Sequence, residues 1–462
     1  MDLTDRFSCH RAVQARDARF DGRFFVGVTS TGIYCRPICP ARTPKLENCR
    51  FYPSAAAAQQ SGFRPCLRCR PESAPGGGAW RGSSDTVARA LALLGESGQH
   101  DEPALAAVAA RLDVSMRQLR RLFQQHLGAS PVAVLQTRRI LVAKQLIHET
   151  RLPMTAVAMA AGFGSIRRFN ETFQAMYGRP PSALRGRSAG QADSAAEIVL
   201  RLRYRPPYDW PALLAQCPVL PGIANVAGAE YRRAVRIGTA SGTVRVWHEP
   251  ARHNLHVGLR LDDIRMLADT LARVARACDT AADIAAIDAH LAADPLLAPP
   301  IAARPGLRVA GPWDPFEAAV LALLPPGALP ALLARCAEAL APALQLPGVT
   351  HLFPAPAAVA AAGLADLPAA PQLLQALQAL AHAMARDATF LQPGSAPVGA
   401  RLATLAGFDA PLAARVATAV AGEGDAFCCA DPALLARSSA WQPWRAYAAR
   451  HLSLTEETPC AV

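Results

Sequence analysis

Cys35, Cys39, Cys66 and Cys69 are the residues of this chain whose types and spacing best suit chemistry: a C-x3-C pair, a gap of 26 residues, then a C-x2-C pair. Pro37, Pro40 and Pro65 stand beside them, as tight loops require. Two thiolate pairs on separate turns close a tetrahedral site around Zn2+, which holds its sulfur ligands deprotonated at neutral pH. Two uses of such a site stay open on spacing alone. It serves structure only, or the excess negative charge of four thiolates on one divalent ion makes an exposed sulfur a nucleophile. Of the twelve cysteines, Cys49 lies outside the pattern and is expected to pack, and Cys217, Cys278, Cys336 and Cys460 are scattered.

The elements that must position these residues belong to a multidomain chain, since 462 residues exceed one ordinary core. The start, MDLTDRFSCHR, is acidic where an export signal is basic and then apolar, and no long uncharged apolar run occurs. A cytoplasmic protein without a membrane partner is expected, with its cysteines as ligands or packing residues and not as disulfides. Residues before 190 hold 27 Lys and Arg against 13 Asp and Glu, and the remainder hold 21 against 23, so the net charge of +12 resides in the N-terminal part. That asymmetry suits a polyanion such as DNA, because neutralising phosphates releases counterions. The preference for arginine itself reflects composition, since Lys45 and Lys144 are the only lysines.

PESAPGGG closes the cysteine-rich segment as a linker, and RGRSAGQADSAAE closes a basic helical one. Inside the helical segment a repeat runs at an offset of 50 residues: Ala110 with Ala160, Ser115 with Ser165, Leu119 with Phe169, Phe123 with Phe173, Gly128 with Gly178, Pro131 with Pro181. Each copy predicts a short helix, a turn, a serine N-cap and a second helix stopped by glycine, which is helix-turn-helix geometry. PVAVLQTRRILVAKQLI would connect the two as a helix. Beyond Ile198, IVLRLRYR, YRRAVRIG and GTVRVWHE alternate as strands, and alanine-rich helices follow Asp262.

STGIYCRPICPAR and GFRPCLRC resemble the signature of the Ada N-terminal zinc domain. The resemblance implies that Cys35 is both a zinc ligand and the acceptor that irreversibly takes a methyl group from a DNA methylphosphotriester. Arg36, Arg42, Arg64 and Arg68 are then the expected phosphate contacts. AARLDVSMRQLRRLF, RRILVAKQLI and AMAAGFGSIRRFNETFQAMYGRPPSALR resemble the DNA-binding domain of AraC-family activators. That places Arg117, Gln118 and Arg121, and in the second unit Arg167, Arg168 and Asn170, toward bases or phosphates in the major groove.

LRYRPPYDWPALL, ARHNLHVGLRL, AARPGLRVAGPWDPFEAAVLALL, LATLAGFDAPLAA, DAFCCAD and WQPWRAYAARHL resemble, in order, AlkA-like DNA-3-methyladenine glycosylases. The resemblance implies that Asp431 is the carboxylate that stabilises the departing sugar cation. Several positions depart from that family's pattern. Asp409 replaces the second glycine of its hairpin, Pro411, Arg415 and Ser453 stand at its base-stacking aromatics, and Leu324-Pro325-Pro326-Gly327-Ala328 replaces its wedge loop. No P-C-H-R motif occurs, so the resemblance does not extend to a methyltransferase for alkylated guanine.

The expected fold is multidomain α+β. Residues 1–74 form a small Zn(Cys)4 α/β module, 83–187 an all-α tandem helix-turn-helix domain, 197–305 a small antiparallel sheet with the start of a helical domain, and 306–455 a helix-hairpin-helix domain. The expected function is alkylation repair coupled to transcriptional activation, with double-stranded DNA, alkylated or promoter, and RNA polymerase as partners. In this reading the AlkA-like half excises alkylated bases weakly if at all. The alternative is a transcription factor with a structural zinc site and an inactive glycosylase-like domain.

Overall fold

The computed structural model describes residues 5–17, 20–69, 71, 85–96, 102–185, 197–392, 396–422, 427 and 432–454. Both expected linkers lie almost wholly outside these residues, as does Asp431. The chain divides into two compact units, one of residues 1–205, 249–272 and 280–282, the other of residues 206–248, 273–279 and 283–462. Among the described residues no helix is long and apolar enough to cross a membrane.

The first unit begins with a four-stranded sheet of order β3-β1-β2-β4, made of β1 (Phe25–Val28), β2 (Ile33–Cys35), β3 (Cys49–Tyr52) and β4 (Arg64–Pro65). Successive residues of a strand face opposite sides, and β1 uses both. Val26, with Phe24 and Cys49, packs on Cys9, Ala12 and Val13 of α1 (Arg6–Gln14), and Cys49 is the packing residue expected of it. Phe25, with Tyr34 and Phe63, packs on Ala55 and Ala58 of α2 (Ala55–Gln60). The sheet is therefore covered on each face by one short helix.

Among the described residues the helices that come next in this unit are α3 (Asp85–Glu96), α4 (Glu102–Arg111), α5 (Met116–Leu127), α6 (Pro131–Glu149), α7 (Met154–Ala160) and α8 (Ile166–Tyr177). The repeat expected at an offset of 50 residues has a local physical basis at both ends. Ser115 Oγ accepts the N–H of Gln118 at 3.1 Å and Ser165 Oγ that of Arg168 at 3.2 Å, so each recognition helix starts on a serine cap. Gly128 and Gly178 end these helices with φ of 64° and 66°. Leu119, Phe123 and Leu127 bury one stripe of α5, and Phe169, Phe173 and Tyr177 the equivalent stripe of α8. Each such buried side chain contributes about 1.5–3 kcal/mol.

The two glycine caps are not equivalent. A Cβ at Gly178 would meet nothing within 4 Å, whereas one at Gly128 would lie 3.1 Å from Ala57 Cβ and 3.3 Å from Pro53 Cγ. Gly178→Ala is expected to cost about 1 kcal/mol from the left-handed backbone alone. Gly128→Ala should cost more, because it also opens the seam between α5 and α2; denaturant unfolding of the two variants checks the order.

The first unit also contains the antiparallel pair Ile198–Arg203 and Asn254–Leu261, in register from Ile198↔Leu259 to Arg203↔Asn254. The second unit holds the antiparallel strands Ala224–Ala227, Glu230–Ile237 and Ala240–Glu249, close to the alternating segments predicted. Its helical part is built on Pro315–Leu323, Pro371–Arg386 and Ala410–Ala421, which share an apolar core around Phe316, Val320, Leu377, Leu380 and Val416. Arg233 is buried against Glu317, Nη2 to Oε2 at 2.6 Å, and lies 4.6 Å from the Trp313 ring centre. The multidomain α+β expectation thus holds, with a cysteine-bearing sheet module, a helical tandem repeat, a small antiparallel sheet and a helical domain.

Candidate metal centre and nucleic-acid interface

The four cysteines expected as ligands come together, with all four sulfurs within 4.8 Å of one another. The sheet explains how. β2 and β4 run parallel, pairing Ile33 with Arg64 and Tyr34 with Pro65, so the residues that follow, Cys35 and Cys66, emerge side by side. The register is locked by Arg64 N–H to Gly32 O at 2.8 Å and Cys66 N–H to Tyr34 O at 3.0 Å. Each chain then turns, through Cys39 N–H to Arg36 O at 3.1 Å in the first loop, and delivers its second cysteine.

Without a cation these thiols compete for protons. Hydrogen bonding with Cys35 pulls Cys66 far below the usual thiol range and Cys39 down to about 7, while Cys39, Cys66 and Cys69 together push Cys35 far above it. Four cysteine sulfurs within 4.8 Å of one another fit a divalent cation that takes every sulfur as thiolate. The donor set is all sulfur, which selects zinc over hard cations.

The sulfurs differ in surroundings. Cys66 and Cys69 are buried, whereas Cys35 and Cys39 are half-buried. Cys66 Sγ accepts the Arg68 N–H at 3.3 Å, Cys69 Sγ the Arg36 N–H at 3.4 Å, and Cys39 the backbone N–H of Ala41. Among the described residues no N–H is directed at the Cys35 sulfur. A hydrogen bond to a thiolate spreads its charge and dulls it.

Arg36 is a correction to the expected phosphate contacts. It is 2% exposed, with Nε donating to Asp21 Oδ1 at 2.6 Å, Nη2 to Asp21 Oδ2, and Nη1 to the Cys69 carbonyl at 3.2 Å. Its guanidinium ties the first cysteine loop to the second. Asp21 also offers its backbone carbonyl to the buried Arg205. Of the other arginines expected at phosphates, Arg42 and Arg68 are exposed and Arg64 is half-buried.

In the helix-turn-helix domain Arg117, Gln118, Arg121, Arg167, Arg168 and Asn170 are all exposed, on the first two turns of α5 and α8. Arg167 is bonded to Glu171 at 2.8 Å, an exposed pair of little energetic weight that a phosphate can displace. Sequence reasoning missed Asp21 and also Ser54, Gln59, Thr137 and Lys144, which bind this domain to the cysteine module. Lys144 alone carried a signal, being one of two lysines in a chain that otherwise uses arginine.

In the second unit the helix Val398–Leu402, a turn and the helix Ala410–Ala421 form a helix-hairpin-helix. Gly407 turns it with φ of 84°, and a Cβ there would stand 2.5 Å from Ala376 N, so the position admits glycine only. Asp409 is the N-cap of the second helix: Oδ1 accepts the Leu412 N–H at 2.8 Å and Oδ2 the Gln372 amide at 3.2 Å. The carboxylate thus takes one backbone N–H at the start of the helix and one side-chain amide. Pro411 and Arg415 are exposed and Ser453 half-buried, and the turn at 324–328 buries Leu324 and Ala328 while exposing Pro326 and Gly327.

Comparison with known families matches residues 8–72 to the metal binding domain of Ada, 108–187 to a helix-turn-helix domain, and 199–314 to the AlkA N-terminal domain. A Mycobacterium tuberculosis protein described as a probable bifunctional transcriptional activator/DNA repair enzyme AlkA is 37% identical over 481 aligned residues, covering 98% of this chain and 96% of that one. The bifunctional transcriptional activator/DNA repair enzyme Ada of Escherichia coli is 37% identical over 153 residues, 33% of this chain and 41% of its own. The DNA-3-methyladenine glycosylase 2 of Escherichia coli is 32% identical over 125 residues, 27% of this chain and 42% of its own.

Proposed function

The chain belongs to the family of bifunctional transcriptional activator/DNA repair enzymes of the Ada and AlkA type, and from that premise we propose that it repairs methylphosphotriesters in DNA on Cys35 and uses the methylated form to activate transcription. The observation that carries this reading is the setting of Cys35, partly buried in a four-cysteine set and the one of the four whose sulfur no backbone N–H quenches among the described residues. Zinc, held by Cys35, Cys39, Cys66 and Cys69, keeps all four sulfurs as thiolates. The Cys35 sulfur attacks the methyl carbon of the triester; the S–C bond forms as the C–O bond breaks, and the phosphodiester anion leaves. No proton moves. Arg42, Arg64 and Arg68 hold the flanking phosphates, and Arg117, Gln118, Arg121, Arg167, Arg168 and Asn170 hold promoter DNA.

Methylation removes one negative charge from a surface that faces phosphates, which strengthens DNA binding by about 1 kcal/mol. The DNA-bound, methylated protein then recruits RNA polymerase in the cytoplasm. Functional segments 1–74, 83–187, 197–305 and 306–455 follow from this reading. Incubation with DNA bearing methylphosphotriesters, followed by intact-mass and peptide analysis, should add one methyl group, on Cys35. Cys35→Ser should gain none. A methyl group on another cysteine, or none on the wild type, defeats the proposal.

For the AlkA-like half we propose weak excision of alkylated bases such as 3-methyladenine, with Asp431 as the carboxylate that stabilises the sugar cation. The Asp409 cap takes a backbone N–H at the start of its helix, and no aromatic stands at Pro411, Arg415 or Ser453. Each lost base stack costs about 1–3 kcal/mol of binding. Base release far below that of an intact glycosylase, and abolished in Asp431→Asn, is expected by chromatography of free bases. Strong release that persists in Asp431→Asn would reassign the catalytic residue.

A further inference from the structure

Lys144 lies within α6, the helix that joins the two helix-turn-helix units, yet its side chain is fully buried and its Nζ donates to the carbonyl of Cys66 at 2.8 Å. Lysine is seldom fully buried unless its charge is compensated. Beside that carbonyl stand the four cysteine sulfurs, whose charge as thiolates a single divalent ion does not cancel. Lys45, the other lysine, is fully solvated by contrast, with 81% of its side chain exposed.

The same face of α6 continues into the module. Thr137, Leu141 and Lys144 follow one another at helical spacings of four and three, so they share one stripe. Leu141 packs against the cluster of Phe25, Tyr34 and Phe63. Thr137 Oγ1 donates to Gln59 Oε1 at 2.8 Å, and Gln59 Nε2 donates to the hydroxyl of Tyr34 at 3.0 Å, one residue before Cys35. At the neighbouring helix end Ser54 Oγ donates to the Leu127 carbonyl at 2.7 Å.

We propose that Lys144 is a positioning residue of the thiolate centre: an ammonium supplied by the DNA-reading domain that steadies the Cys66 turn and makes occupancy of the metal site and order in α6 depend on each other. The proposal rests on the zinc reading. Linkage requires the dependence to be mutual, since whatever Lys144 contributes to holding the metal, the metal returns to α6.

The test uses the full-length zinc-loaded protein. Zinc stoichiometry of the wild type is measured first; a wild type without zinc would overturn the metal reading itself. Release of zinc to a chromogenic chelator is then followed in wild type and Lys144→Met. Loss of an outer-shell partner of this kind typically weakens metal affinity by about 10- to 100-fold, and release should quicken accordingly. Amide exchange over residues 138–147 is measured in wild type with and without zinc, and should rise on metal removal. Unchanged release in a folded Lys144→Met overturns the proposal. So does exchange in α6 that is indifferent to zinc, a measurement that decides the matter even where the variant fails to fold.

Discussion

Cys66→Ser is expected to leave the protein without bound zinc and with its cysteine module unfolded. Cys66 is buried and follows directly on β4, where its N–H holds the Tyr34 carbonyl at 3.0 Å, so it is both a ligand and the end of the sheet. Structural zinc contributes about 10–16 kcal/mol of apparent folding free energy in small modules, more than the net stability a domain of this size has to lose. Elemental analysis should fall from about one zinc per chain to none, with loss of the near-ultraviolet signal of the packed aromatics. Cys49→Ser is the control. Cys49 packs on the α1 face of the sheet in a cluster that Cys35 borders, but it is not one of the four clustered sulfurs, and its replacement should weaken the core while zinc stays stoichiometric. Full zinc retention in Cys66→Ser would show that the four sulfurs are not the ligand set.

Asp21→Ala should destabilise the same module by about 3–5 kcal/mol, the usual consequence of stranding one partner of a buried ion pair. Arg36 and Asp21 are 2% and 4% exposed, so water cannot replace the lost carboxylate, and the guanidinium holds the Cys69 carbonyl only while Asp21 orients it. Asp21→Ala/Arg36→Met should recover part of the loss, because two apolar side chains leave no orphan charge. Denaturant unfolding of the zinc-loaded proteins gives both values. A single variant within about 1 kcal/mol of wild type would place the pair among surface bridges that contribute little.

Much of the site was legible because its determinants are local. The C-x3-C and C-x2-C pairs specify their own turns. The serine caps and αL glycines of the tandem repeat act within three or four residues, and so the helices Met116–Leu127 and Ile166–Tyr177 follow from their sequence. Alternation predicted the strands Glu230–Ile237 and Ala240–Glu249 for the same reason. Arg36 was read wrongly because an arginine beside a cysteine loop looks alike whether solvated or paired. Its carboxylate partner lies 15 residues away and becomes its neighbour only when the sheet closes.

What the sequence by itself determined is therefore the chemistry available: four sulfurs at ligand spacing, a basic tandem repeat, and a glycosylase-like half whose hairpin carries an acid. Tertiary structure decided how that chemistry is distributed. The parallel pairing of β2 with β4 brings Cys35 and Cys66 together and leaves Cys35 free of backbone donors among the described residues. Folding of the hairpin turns Asp409 from a stray acid into a helix cap. Packing of α6 on the module brings Lys144 to Cys66 across 78 residues of chain. Each of these depends on long-range closure, in which burial removes water as a competing partner and leaves a charged or polar group only the neighbours the fold provides.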